Sequence, residues 1–244
     1  MKRSGSIVHP RTLSFLSGTI LLTSVALSTT AQIQVKDEPR HHNVFENDMV
    51  RILDVHIPPR DTSLFHKHST PSVFLVLSDT KTGTEVKVEP AKIHLTNGNI
   101  WFEGFYDQFR VHRVWNSDTK DFHVIDMELP AKEHHEIDPP LDSATATRGI
   151  HSVRNFKLLF DEKPVRAYRI TLYGHASFGL SRRKAAMVII KLSDNAGETL
   201  AGDRGSGYWK PLVKKGDFLY IRPGGGGIVN KGAADQEFAI FELK

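Results

Sequence analysis

The stretch Val50-Arg-Ile-Leu-Asp-Val-His-Ile57 is rich in β-branched and aliphatic residues and stops at two prolines, which is typical of a strand that ends in a turn. Residues 50–79 align without gaps on residues 165–194, with six of 30 positions identical. The identical pairs are Val50/Val165, Arg51/Arg166, Val73/Val188, Leu77/Leu192, Ser78/Ser193 and Asp79/Asp194. Each half continues as short strand-like runs between turn-forming clusters. A duplicated β unit is the simplest explanation, and it predicts an all-β protein.

Three histidines have spacings that suit a metal site between strands. His66 and His68 are separated by one residue, so they project from the same face of a strand. His112, which is followed by Asn116, lies on another predicted strand and can meet them from a neighbouring position. Three neutral imidazoles suit divalent transition ions and leave coordination positions open for water or a substrate.

These residues resemble the two motifs of the cupin superfamily. The first motif of that family carries His-x-His followed by a Glu three or four residues later, and His66-Lys67-His68 matches its histidines. The second carries a His followed by Asn after three intervening residues, as in His112-Arg-Val-Trp-Asn116. The resemblance covers residues 43–243. It implies two tandem cupin-type antiparallel β-barrels (double-stranded β-helices, or jelly rolls), the arrangement of a bicupin.

The chain departs from the family pattern at several positions. Arg60 and Asp79 stand where the first motif opens and closes with Gly, and Ser72 or Val73 stands where it has its ligand Glu. The metal site implied by the resemblance is therefore a three-histidine version. Without the carboxylate it carries one negative charge less, so a bound anion would be held more strongly.

The expected ligands are His66, His68 and His112, around Fe(II), Mn(II), Zn(II), Cu(II) or Ni(II). Asn116 and Arg110 share the strand phase of His112 and, together with Ser72, are expected around the pocket. Two alternatives remain open. The histidines could line a pocket and bind no metal, or a carboxylate from Glu103 or Asp107 could complete the site.

Other histidines have no motif partner. His41 and His42 lie in a polar segment and are expected to be solvated, whereas His56, His94 and His123 fall on predicted strands and could face the pocket. In the second half, Ser181 and Arg183 align with His66 and His68, and Arg offers no lone pair to a metal. The second barrel is therefore predicted to lack a metal site.

The N-terminus reads as an export signal, because a positive Met1-Lys-Arg3 precedes the largely apolar, uncharged Leu13–Ala26 and small residues up to Ala31. The mature protein is then periplasmic or secreted, with no stable membrane span; an uncleaved anchor is the alternative. The predicted organisation is a signal peptide over residues 1–31, an extended arm over 32–42, a first barrel with the metal site over 43–130, a linker over 131–150 and a second barrel over 151–244.

Composition excludes several functions. The net charge is only +4, with basic residues scattered among 28 acidic ones, which does not favour nucleic-acid binding. No cysteine is present, so disulfides and thiol chemistry are absent. The sequence also contains no Gly-x-Ser-x-Gly hydrolase motif, no Walker nucleotide-binding motif and no His-Glu-x-x-His zinc-protease motif.

Two functional classes remain. The first is a metal-dependent oxidoreductase, dioxygenase-like, or a related cupin lyase or isomerase acting on a small organic substrate. The second is a non-catalytic cupin that binds a small molecule or a metal. The fold alone cannot separate them. Because barrels of this type often dimerise, a homodimer is also compatible with the resemblance.

Overall fold

A computed structural model of the protein describes residues 32–89, 94–95, 98–141, 153–180, 183–194, 199–203 and 207–244, without the side chains of residues 94, 95 and 203. Gln32–Lys244 form one compact unit. The signal-peptide prediction concerns residues 1–31 and lies outside the described residues. Within the described ranges, no helix is long and apolar enough to cross a membrane.

Apart from one 3-10 turn, the regular elements in the described part of the chain are all strands, which confirms the all-β prediction. The first half contains β1 (Ile33–Gln34), a 3-10 turn (Val35–Asp37), β2 (His41–Glu46), β3 (Arg51–Ile57), β4 (His66–His68), β5 (Ser72–Val76), β6 (Thr82–Val88), β7 (His94–Leu95), β8 (Ile100–Gly104), β9 (Arg110–Asn116) and β10 (Phe122–Glu128). The second contains β11 (Val153–Asp161), β12 (Val165–Leu172), β13 (Ser177–Gly179), β14 (Ala186–Lys191), β15 (Thr199–Asp203), β16 (Tyr208–Leu212), β17 (Phe218–Ile221), β18 (Gly226–Asn230) and β19 (Gln236–Leu243).

Each half forms two facing sheets, as expected for a jelly-roll barrel. The first half has the strand orders β1-β4-β9-β6 and β2-β3-β10-β5-β8-β7. The second has β11-β12-β19-β14-β17 and β13-β18-β15-β16. The series β3-β10-β5-β8 therefore recurs as β12-β19-β14-β17, and β4-β9-β6 recurs as β13-β18-β15. The pairing is antiparallel throughout, except that β1 runs parallel to β4.

The largest hydrophobic core lies between the two halves. Val50, just before β3, and Ile52 of β3 are buried in it together with Val165 of β12, Val188 of β14 and Phe241 of β19. The intervening residues of the same strands face the barrel interiors. β14, the strand Ala186–Lys191, is thus buried on both faces, which explains its nearly continuous apolar run, whereas the outer face of β3 is covered only near its start.

The two barrel interiors are filled differently. Fifteen buried apolar residues form the interior core of the second barrel, whereas the corresponding core of the first has five among the described residues. Leu141, from the segment predicted as a linker, is part of the larger one, and its backbone N–H donates to the Tyr168 hydroxyl at 2.9 Å. The interior of the first barrel retains a cavity.

The duplication extends to individual polar contacts. Arg51 of β3 pairs with Glu128 of β10, with Nη1 and Oε2 2.5 Å apart, and Arg166 pairs with Glu242 in the same way at 3.0 Å. Both pairs join directly opposed residues. Two buried polar contacts at equivalent positions show that the strand registers of the halves correspond.

Buried asparagines close the same turn in both halves. The Asn116 amide donates to the carbonyls of Ile57 and Lys120 at 2.8 and 2.7 Å, and its oxygen accepts from the Asp118 N–H. Asn230 repeats this arrangement, donating to two carbonyls at 3.0 and 2.8 Å and accepting from the N–H two residues later. Asn230 is therefore the structural counterpart of Asn116.

We predict that Asn116→Ala and Asn230→Ala each lower the free energy of unfolding by about 2 kcal/mol, because each leaves two carbonyls and one N–H of a partly buried turn without their side-chain partner. Urea-induced unfolding followed by circular dichroism measures the change. Asn43→Ala is the matched control, since the Asn43 amide makes an exposed contact with Glu46. Equal effects of all three variants would contradict the structural role of the two buried asparagines.

Candidate metal centre

The three predicted ligands meet inside the first barrel. His66 of β4 lies directly opposite His112 of β9, and His68 follows on the same face of β4. One nitrogen from each ring lies within 4.8 Å of one from each of the others. The ring centroids form a nearly regular triangle, with sides of 4.7, 4.9 and 4.9 Å. His66 and His68 are buried, and His112 is half-buried.

Contacts around the rings determine which nitrogens carry lone pairs. Nδ1 of His66 is 2.8 Å from the Leu64 carbonyl, which only accepts, so Nδ1 carries the proton and Nε2 the lone pair. The Thr84 hydroxyl donates to the Arg113 carbonyl and can therefore accept from Nδ1 of His112, 3.3 Å away. Nε2 of His112 is buried without a hydrogen-bond partner in the described part of the chain.

The environment holds all three imidazoles neutral. Burial, followed by the neighbouring His41, lowers the pKa of His66 to about 4. Burial, followed by His66 and Arg110, lowers the pKa of His112 to about 3. The pKa of His68 is also well below its ordinary value, mainly because of burial and then because of the other two rings. Near neutral pH the cluster therefore offers three lone pairs, which is the form that binds a metal.

A carboxyl group that the sequence analysis missed lies beside the cluster. Oδ2 of Asp126 is 3.6 Å from Nδ1 of His68, and within the described residues neither carboxylate oxygen has a hydrogen-bond partner. Burial, followed by Glu128 and Glu103, raises the pKa of Asp126 well above its usual range. Metal-bound histidines commonly donate their second nitrogen to such a group. One sequence signal could have indicated this group: Asp126 is a charged residue on the same inward face of β10 as the apolar Val124.

The second barrel has no comparable residues at these positions. Its Asn230 corresponds to Asn116, so Gly226 corresponds to His112, and the Leu180 N–H donates to the Gly226 carbonyl at 2.8 Å. Leu180 thus stands where His66 stands, one residue before the aligned Ser181, which lies outside the described residues. Ile240 corresponds to Asp126, because both lie at the same register of the repeated sheet. Arg183 is paired with Glu242, its Nε donating at 2.6 Å.

The histidines open into a cavity of about 300 Å³. Its walls are mostly aliphatic and aromatic, and are formed by Val55, Ile57, Phe74, Trp101, Val114, Phe122 and Val124. Arg110 also lines it, but its guanidinium is paired with Glu103 at 2.7 Å and with Glu89 at 2.9 Å. Glu103 also lines the cavity and is held by Arg110 and by the Trp101 indole N–H.

Two residues expected around the pocket have other contacts. Asn116 closes the turn described above and does not line the cavity. Ser72 is fully buried on β5, and its hydroxyl donates to the Thr70 carbonyl at 2.9 Å. Asp107 belongs to the loop before β9 and likewise does not line the cavity. The side chain of His94 lies outside the described residues, and His56 and His123 project from the outer face of the sheet.

The N-terminal segment contributes a histidine that was expected to be solvated. His41 is only 8% exposed and lines the cavity, with its ring centroid 4.6 Å from that of His66. Its Nδ1 is 2.6 Å from Oε2 of the buried Glu38. Contacts from His41 and from the backbone N–H groups of Leu64 and Arg40 outweigh burial and lower the pKa of Glu38 to about 2. The expectation was wrong because β2 pairs with β3, which places His41 directly opposite Val55 in the cavity wall.

No known protein-family profile matches the chain, and no curated protein matches it. Solved structures do match. Salicylate 1,2-dioxygenase from Pseudaminobacter salicylatoxidans has a TM-score of 0.52 at 11% identity, over 82% of this chain and 72% of that one. A variant of that enzyme in complex with gentisate has a TM-score of 0.54 at 11% identity, over 87% and 76%. AerE from Microcystis aeruginosa has a TM-score of 0.52 at 10% identity, over 85% and 98%.

Two jelly-roll barrels in tandem, with a histidine cluster in the first, are the architecture that the resemblance to the cupin superfamily implies. The structural matches confirm that expectation at the level of the fold. The chain has the fold of the cupin superfamily in its two-barrel form.

We predict that acid destabilises the metal-free protein through this cluster. An unfolded histidine takes up a proton near pH 6.5, whereas folded His66 does so only near pH 4. Between these values the unfolded state binds more protons, so stability is complete above pH 6.5 and falls as the pH falls towards 4. The loss attributable to His66 is on the order of 3 kcal/mol.

Urea unfolding at pH 7 and pH 4 in the presence of a chelator measures this loss, and His66→Gln is the comparison because glutamine does not titrate. Asp126 contributes with the opposite sign to both proteins, since its raised pKa favours the folded state as the pH falls. The wild type should therefore lose more stability than the variant. An equal loss in the two proteins would contradict the assigned protonation state of His66.

Proposed function

We propose that this protein is a metal-dependent enzyme of the dioxygenase type that acts on a small organic compound. The observation that carries the proposal is the convergence of three neutral imidazoles, His66, His68 and His112, in a buried cavity. The fold shared with salicylate 1,2-dioxygenase supports it. The dioxygenase reaction is an inference from that neighbour and from the ligand type.

The residues present fit a divalent transition ion. Nε2 of His112 is buried and without a partner among the described residues, and an uncompensated acceptor of this kind is costly unless a ligand contacts it. His66, His68 and His112 would hold the ion. The second nitrogens of these rings would be held by the Leu64 carbonyl, Asp126 and the Thr84 hydroxyl, respectively. When bound, the metal would supply the Lewis-acid and redox chemistry that oxygen insertion requires.

Size and charge limit the substrate. A cavity of about 300 Å³ is at the small end for ligand sites. Phe74, Trp101 and Phe122 give it aromatic walls that suit a planar compound. Three neutral ligands leave the charge of the ion uncompensated, so an anionic oxygen on the substrate would be favoured. A small aromatic acid or phenol is the substrate class that these features support.

His41 is positioned to orient such a substrate. In its neutral form it donates from Nδ1 to Glu38, so Nε2 carries a lone pair at the cavity wall. This nitrogen can accept a hydrogen bond from a substrate hydroxyl. The Glu38 carboxylate, which also accepts from Leu64 and Arg40, keeps the ring in that orientation.

We predict that the protein, loaded anaerobically with Fe(II), consumes oxygen when given one member of a panel of small aromatic acids that begins with salicylate and gentisate. His66→Ala/His112→Ala should lose the inner ion and lower the rate at least 100-fold, because two of three ligands are gone. His41→Phe should retain the ion and lose turnover. His135→Ala, at an exposed position, is the control. Elemental analysis and an oxygen electrode give the two readouts.

The outcomes separate the functional classes. If wild type and double variant bind equal amounts of iron, the inner site holds no ion and the proposal fails. If the inner ion binds and panel compounds bind without oxygen uptake, the protein is a binding cupin and the enzyme assignment fails. Oxygen uptake that survives in the double variant would also contradict it.

We further propose export, with the mature chain in the periplasm or secreted, on the basis of the signal-like residues 1–31. Expression of the full chain in a bacterium with an outer membrane should then yield a mature protein that begins near Gln32. Intact-mass measurement of the periplasmic fraction checks this. Recovery of the uncleaved chain in the membrane fraction would favour an N-terminal anchor instead.

A further inference from the structure

A second histidine cluster lies on the outer face of the first barrel. Two Asp-x-His sequences, Asp54-Val-His56 and Asp121-Phe-His123, run in opposite directions along the paired strands β3 and β10, with His56 directly opposite His123. The intervening Val55 and Phe122 line the inner cavity. Because side chains alternate along a strand, the four polar residues project away from that cavity.

The contacts within this cluster are crossed between the strands. Nε2 of His123 is 2.7 Å from Oδ1 of Asp54, and Nδ1 of His56 is 2.5 Å from Oδ2 of Asp121. Nε2 of His56 also lies 3.4 Å from the same Asp54 oxygen. The two rings are stacked, with centroids 4.1 Å apart. One carboxylate oxygen therefore lies between two Nε2 atoms.

In this arrangement a neutral His56 must direct one lone pair at a carboxylate oxygen, and a cation between them would remove that repulsion. Both nitrogens of His56 are near carboxylate oxygens, which accept but do not donate. A neutral imidazole has only one N–H, so one of its lone pairs must face an oxygen. Either a second proton on the ring or a metal ion beside Nε2 makes every contact favourable.

The geometry suits a metal ion. Asp54 and the two histidines offer ligand atoms within 4.8 Å of one another. Tetrahedral ligands about 2.1 Å from zinc lie roughly 3.4 Å apart. The 3.4 Å separation between the Asp54 oxygen and Nε2 of His56 matches this value, whereas the 2.7 Å hydrogen bond to Nε2 of His123 would have to lengthen by about 0.7 Å when an ion binds. Asp121 would then hold the outer nitrogen of His56, as carboxylates do for metal-bound histidines.

The surroundings favour a cation that keeps an open position. The groove beside the cluster has a volume of about 570 Å³, and its charged residues are Asp79, Asp121, Asp194, Lys120, Lys214 and Lys215. Among the described residues, these groups and Asp54 give four carboxylates and three ammonium groups, so the balance of charge is negative. The turn that carries Lys214 and Lys215 packs against His123, because a Cβ on Gly216 would lie 3.0 Å from its ring. A small anion held by these lysines could complete the coordination.

We propose that Asp54, His56 and His123 form a second metal site, for which zinc is the best match, with Asp121 as the supporting carboxylate. The site uses two imidazoles and one carboxylate, a ligand set typical of divalent transition ions. The side chains of His56 and His123 are 38% and 20% exposed, so an ion can enter from solvent. It shares no residue with the inner cluster and does not depend on the function proposed above.

Equilibrium dialysis against zinc with elemental analysis tests the proposal in the His66→Ala/His112→Ala background, which removes the inner site. That protein should bind one zinc per chain. Adding His56→Ala/His123→Ala should abolish this binding, whereas adding His135→Ala should not change it. Asp121→Asn should weaken it by roughly 10–100-fold while keeping the stoichiometry. Circular dichroism verifies that each variant is folded.

A measurement on the unmodified protein keeps the proposal testable if a variant does not fold. Zinc should protect His56 and His123 from modification by diethyl pyrocarbonate, as read by peptide mass spectrometry, while the exposed His135 reacts at an unchanged rate. Equal modification of His56 and His123 with and without zinc would overturn the proposal. So would zinc binding that is insensitive to the His56/His123 substitutions.

Discussion

The arrangement of this molecule depends on two sheets that each contribute one face to the core between the halves and the other face to a barrel interior. In β3, residues such as Ile52 pack between the two halves, while Leu53 and Val55 face the interior of the first barrel. A slip of one residue would exchange the two sets and place Asp54 or His56 inside the barrel. The register that seals the inter-barrel core is therefore the same register that determines which side chains reach the cavity.

Local patterns predicted much of this organisation. The repeat around Val50 and Val165 predicted a two-barrel β fold, because strand alternation and turn signals are encoded within short segments. The one-residue spacing of His66 and His68 was sufficient to place both rings on one face. Their meeting with His112 required only that β4 and β9 be neighbours, which the motif resemblance supplied.

The features that sequence reasoning missed depend on contacts between distant segments. His41 reaches the cavity because β2 pairs with β3 and places it directly opposite Val55, and Glu38 contacts Nδ1 of its ring. Asp126 and the outer cluster of His56 and His123 become visible only when the register of β3 and β10 is known. Asn116 was expected at the pocket because it shares the strand phase of His112. Its position at the end of β9 instead lets it bind three backbone groups of a turn.

The two interiors show how one scaffold can serve two purposes. The second barrel is filled by apolar side chains such as Leu180 and Ile240, and it gains stability from their burial. At the equivalent positions the first barrel has the buried His66 and Asp126, and buried polar atoms without a partner, such as the Asp126 oxygens among the described residues, lower stability. The first barrel thus has polar residues, which lower stability when they lack a partner, at positions where a bound ligand could be that partner.

The shared core between the halves has a consequence for how the barrels can exist. Each half presents to the other an apolar sheet face, of which Ile52 and Val188 are part, and neither face could be left in water without cost. The interface serves the purpose that a subunit contact serves in a homodimer. Because both barrels belong to one chain, each is held near the other at a high effective concentration that does not depend on the protein concentration. The pairing of the two barrels is therefore insensitive to dilution.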